Sequence, residues 1–105
     1  VEIAKPWYPE REAHARAVAD YLSGTRLPDW EPQDEALARF AAGIENHTDG
    51  DALIVTHGTV LSLWLGHVLG SFDPIGFWNG LGMPDVCAVT TGPSGAKQLV
   101  GSPTA

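Results

Sequence analysis

The sequence predicts an α/β fold, and three observations carry that prediction. Ala52-Leu53-Ile54-Val55 is a continuous apolar run, the pattern of a strand buried on both faces of a parallel sheet. That run leads through Thr56-His57-Gly58 into residues 59–69, where Val60, Leu61, Leu63, Trp64, Leu65, Val68 and Leu69 make a helix apolar almost all round, suited to tight packing on such a sheet. Helical spacing recurs upstream, through Ala13, Ala17, Val18, Tyr21 and Leu22, then through Ala36, Leu37, Phe40, Ala41 and Ile44.

Each element has a local reason. Pro6 and Pro9 flank Trp7-Tyr8 and exclude regular structure there, so the first helix spans residues 10–22 and Gly24 ends it. Residues 25–32, with two prolines and Trp30, read as an irregular covering loop. Residues 34–44 form a half-buried helix with acidic residues at its start, where the helix dipole favours them. Asp49-Gly50-Asp51 turns the chain into the 52–55 strand. Asp73-Pro74 supplies an N-cap and first helical residue for a short helix through Trp78. Residues 84–91 and 97–100 flank Gly92-Pro93-Ser94-Gly95, which predicts an antiparallel hairpin at a sheet edge, followed by a tail from Gly101 to Ala105. One parallel strand and one hairpin make a poor sheet, and the 52–55 strand expects neighbours this chain does not supply.

The totals bound the function. A chain of 105 residues is one domain or part of one, and a domain of this size buries roughly two-thirds of its unfolded surface. With 44% hydrophobic and 18% charged residues it reads as globular. A net charge of -7, from 13 acidic and 6 basic residues, argues against nucleic acid and anionic membranes as partners. A small phosphorylated substrate stays open, since a local cluster of donors can hold phosphate in an acidic protein. Cys87 stands alone in an apolar run, so no intrachain disulfide forms, and a reducing, cytoplasmic setting is expected. Neither a signal peptide nor a stretch long enough to span a bilayer is visible. The start at Val1 reads as that of a fragment or processed product.

Chemistry is concentrated at Val55-Thr56-His57-Gly58-Thr59. A histidine at a strand end beside a helix N-terminus faces an anion site: Gly58 admits a ligand close to the backbone, and the N–H groups near Thr59 and Val60 point at it. A protonated His57 can donate to a phosphoryl oxygen and neutralise it. The plainer account, in which His57 caps the helix or satisfies a buried carbonyl, fits an isolated histidine better than one in this context.

On these residues the chain resembles the histidine phosphatase, or phosphoglycerate mutase-like, superfamily. Its members have a strand ending in a THG or SHG motif and followed by an apolar helix, as in Ile54-Val55-Thr56-His57-Gly58-Thr59-Val60-Leu61. Upstream, Glu2 with Pro6-Trp7-Tyr8, and Trp30-Glu31 leading to Ala38-Arg39-Phe40, resemble in order the segment after the family's proton donor and the helix before its last catalytic strand. The resemblance implies a three-layer α/β/α fold, of which residues 1–105 form one partial domain, the C-terminal part. It also implies phosphomonoester hydrolysis or phosphoryl transfer on a small phosphorylated metabolite through phosphohistidine, with no metal and no cofactor. His57 would then stabilise the phosphoryl oxygens, with Gly58 and Thr59 binding phosphate, and Glu2 would protonate the leaving oxygen and activate water. Glu2 reads equally as a solvated carboxylate. The family's nucleophile lies in an Arg-His-Gly motif, and no Arg-His-Gly occurs here.

Other candidates are weaker. Arg39 could reach a phosphate, but a helix-surface pair with Glu35 at the i, i+4 spacing is the expected role, and Lys5 reads as solvated. His14, His47 and His67 show no metal-ligand spacing with His57, Ser62 lacks a nucleophile elbow and reads as packing, and Cys87 reads as a small buried hydrophobe. Trp7, Trp30, Trp64 and Trp78 read first as core or lid residues, and Trp7 and Trp30, in loops, are the two to watch for substrate contact. The alternative from another class is a non-catalytic module that binds phosphate or self-associates into a homo-oligomer through the unpaired edge at residues 52–55.

Overall fold

The computed structural model describes residues 10–47, 52–82, 85–93 and 95–101. Among them four helices precede a hairpin: α1 (Arg11–Leu22), α2 (Gln33–His47), α3 (Gly58–Val68), α4 (Pro74–Gly80), β1 (Ala88–Thr91) and β2 (Lys97–Gly101). The chain is therefore mixed helix and strand. Glu2, Lys5, Trp7 and their neighbours, the Asp49-Gly50-Asp51 turn, Ser94 and the last four residues lie outside the described residues.

Helix α3 is the hub, packing against α1, α2 and α4. Its all-round apolar sequence requires this, and Val60, Trp64 and Leu65 are buried. Val18, Tyr21, Leu22 and Trp30 form the core cluster, with Leu63 of α3 and Ile75 and Trp78 of α4 packed against it. Helix α4 comes close to α3 because small residues face it. A side chain on Gly66 would meet Pro74 Cγ at 3.3 Å, and one on Gly58 would meet Leu81 Cδ1 at 3.0 Å. Ser62, between them at four-residue steps, is fully buried and donates its hydroxyl to the Gly58 carbonyl at 2.7 Å, the packing role its sequence context suggested.

Local signals match closely. Helix α1 ends at Gly24, which adopts φ 102°, a left-handed conformation that glycine enters without steric cost. Asp73 caps α4 by accepting from Gly76 N at 3.0 Å, with Pro74 following as the first helical residue. The hairpin pairs Val89 with Leu99 and Thr91 with Lys97, and its turn is closed by Gly92 N donating to Ala96 O at 2.8 Å.

The parallel strand expected at residues 52–55 is not formed. These residues belong to no strand, and Leu53, Ile54 and Val55 are 86%, 42% and 92% exposed. A parallel strand needs ladder partners, and among the described residues the sheet has two strands that pair with each other. Among the described residues the hairpin edges no larger sheet, and the helices pack on one another.

Replacing Asp73 with Ala removes the cap from a seven-residue helix. We expect a loss of about 1 kcal/mol, read by urea denaturation, with Asp73→Asn close to the native protein.

Candidate anion-binding site

His57 occupies the N-cap of α3 with extended backbone (φ -113°, ψ 151°), and its carbonyl accepts from Leu61 N at 3.1 Å to start the helix. Its side chain makes no capping hydrogen bond and the residue is exposed, so the capping role is not the one it plays. The residue instead lines a cleft of about 500 Å³ between α2 and the segment leading into α3. Arg39, Phe40, Gly43 and Ile44 of α2 form one wall, and residues 53–57 with Val60 form the other. Phe40 is braced from behind by buried Trp64, their ring centroids 5.4 Å apart.

The cleft brings together two residues that the sequence treated separately. Arg39 does not pair with Glu35; its Nη2 donates to Glu31 Oε1 at 2.9 Å. The cause is tertiary. Fully buried Tyr21 donates its hydroxyl to the Glu31 carbonyl at 2.7 Å, while Gln33 Nε2 donates to the carbonyls of Tyr21 (3.1 Å) and Thr25 (2.8 Å). These bonds fold the loop back over the end of α1 and set the Glu31 carboxylate, whose side chain is 16% exposed, opposite Arg39. Pairing at a partly shielded carboxylate orients the guanidinium beside the cleft more firmly than a fully solvated partner would.

Tyr21 records the same environment in its ionisation. Burial, and then the negative charge of Glu31, push its hydroxyl from 10.0 to about 12; Asp34 adds to the rise and the Arg39 charge opposes it.

The remaining candidates are dispersed. Gly58 and Thr59 are not part of the cleft wall, and Gly58 turns its α-carbon toward Trp78 and Leu81, so its small size serves helix packing. Trp30 is 6% exposed and lies tilted against Tyr21 with ring centroids 5.1 Å apart, which makes it a core residue, the first of its two readings, and not a substrate contact. His14 sits edge-on to Trp78 at 5.8 Å, and His67 is exposed. Cys87 is half-buried, and burial followed by the Asp85 charge pushes its thiol up, away from a reactive thiolate. Among the described residues no group of three or more His, Cys, Asp or Glu side chains could hold a metal ion, and no helix is long and apolar enough to cross a membrane. Glu2 lies outside the described residues.

Arg39 is the residue that sequence reasoning set aside. Its helical spacing from Glu35 was a misleading signal, since Glu31 lies eight positions away and reaches it only through the folded loop.

No protein-family model, curated protein or solved structure matches this chain.

The raised Tyr21 ionisation has a definite consequence for stability. A hydroxyl whose folded value exceeds its unfolded value leaves stability constant below about pH 10 and removes it as pH climbs toward 12, because only the unfolded chain can ionise in that window. Denaturation at pH 9 to 12 should show this decline relative to Tyr21→Phe, which lacks the group. At pH 7 the same substitution should cost roughly 1 kcal/mol through the Glu31 carbonyl it leaves without this donor.

Proposed function

We propose that the chain supplies the phosphate-holding part of a phosphoryl-transfer or phosphomonoester-hydrolysing site of the histidine phosphatase type, acting on a small phosphorylated metabolite. The observation that carries this reading is the joint placement of His57 and Arg39 on opposite walls of one cleft in a protein of net charge -7. An arginine and a histidine lining one space supply hydrogen-bond donors that suit an oxyanion, which would compete with Glu31 for Arg39. His57 would donate to a phosphoryl oxygen and Arg39 would neutralise charge that moves onto the oxygens as the phosphoryl group transfers.

The reaction also needs a nucleophile and a proton donor. No Arg-His-Gly occurs in the 105 residues, so the phosphoryl-accepting histidine of this scheme comes from another segment or another chain. Glu2 is the carboxyl that the resemblance offers as proton donor. In the completed three-layer assembly, residues 52–55 would take their place as a strand between partners, which would cover Leu53 and Val55.

The exposed segment favours a second reading. Leu53 and Val55 present apolar side chains at 86% and 92% exposure, an arrangement that invites pairing with a second copy and would make the chain a self-associating, non-catalytic phosphate binder.

Inorganic phosphate titrated by calorimetry should bind, and His57→Ala should weaken that binding at least about tenfold. Hydrolysis of p-nitrophenyl phosphate by the chain alone that survives His57→Ala would eliminate the proposal. For the second reading, sedimentation equilibrium should show association that Leu53→Lys with Val55→Lys abolishes; a monomer at all concentrations removes it.

A further inference from the structure

Independently of any anion binding, we infer that Asn79 is a site of self-modification. Its side-chain amide converts to aspartate and isoaspartate through attack by the Gly80 backbone nitrogen, at a rate set by opening of the end of α4, and the product loosens the packing of α4 on α3. Asn79-Gly80 is the one asparagine–glycine pair in the 105 residues. Both residues are exposed, and they close a helix only seven residues long. With no side chain, Gly80 does not crowd the approach of its own nitrogen to Asn79 Cγ.

The step balances with water as the only co-reactant. The Gly80 nitrogen gives its proton to solvent base and bonds to Asn79 Cγ; the Cγ–Nδ2 bond breaks, and ammonia departs with a proton from solvent. Water then opens the cyclic succinimide at either carbonyl, giving aspartate or an isoaspartate whose backbone runs through Cγ. In the folded chain Gly80 is held by an interaction of its own, so the attack requires the last turn to open. A helix this short opens readily, and the Asp73 cap, bonded to Gly76 N at 3.0 Å, opposes that opening.

Trp78 and Leu81 flank the pair and carry the effect to α3. They are the side chains nearest to Gly58, 3.5 Å and 3.0 Å from where a Cβ would stand on it. Isoaspartate inserts a methylene into the backbone between them and adds a carboxylate at a helix C-terminus, where the dipole disfavours it.

The test incubates the native chain, Asn79→Gln, Gly80→Ala and Asp73→Ala at pH 6 and pH 8 and follows intact and peptide masses. Asp49-Gly50 can close the same ring with no change of mass, so the conversion of amide to acid reads asparagine alone, and the peptide locates it. The native chain should convert at Asn79, faster at pH 8, and Asn79→Gln should show no conversion in that peptide. A side chain on Gly80 would meet no atom within 4 Å, so alanine there keeps the fold and should slow conversion at least about fivefold. Asp73→Ala should speed it about threefold or more. The converted fraction, isolated by anion exchange, should unfold at lower urea than the native chain. No conversion at Asn79, a rate unchanged in Asp73→Ala, or an unaltered urea midpoint would each overturn the inference.

Discussion

The hydroxyl of Tyr21, fully buried and donated to the Glu31 carbonyl at 2.7 Å, joins the core to the cleft. A buried phenol must find an acceptor, and the one available lies in the loop between α1 and α2. Satisfying it draws that loop over the core, buries Trp30 against Tyr21, and presents the Glu31 carboxylate to Arg39. The carboxylate that pairs with Arg39 is thus placed by a requirement of the core.

The opposite wall has a different origin. His57 stands where an apolar helix begins, and α3 is anchored by its contacts with α1, α2 and α4. Gly58, Ser62 and Gly66 allow α4 close to one side, while Trp64 meets Phe40 of α2 on another. The start of α3 is therefore fixed by packing, and His57 at that start projects from a rigid base even though its own ring is exposed. Packing thus fixes the two elements that carry His57 and Arg39 beside the cleft.

Features governed by neighbouring residues were legible in the sequence: the Asp73 cap, the glycine that ends α1, and the turn between β1 and β2 all depend on chemistry within a few positions. Residues 52–55 show the limit of that reading. Their composition states a preference for a doubly covered strand, but a strand exists only with hydrogen-bonding partners, and the described residues contain none for it. Arg39 failed for a related reason, because its partner is set by a loop folded through Tyr21 and Gln33. Trp30 likewise sits in a loop by sequence and in the core by structure.

The central claim is that the space between α2 and the start of α3 holds an oxyanion through His57 and Arg39. A titration of isotope-labelled protein with inorganic phosphate, followed by 1H–15N correlation spectra, reads this residue by residue. The account predicts saturable shifts largest at the His57 ring and the Arg39 Nε–H group. Shifts that fall instead on Arg11, Arg16 and Lys97, with His57 and Arg39 unmoved, would contradict it.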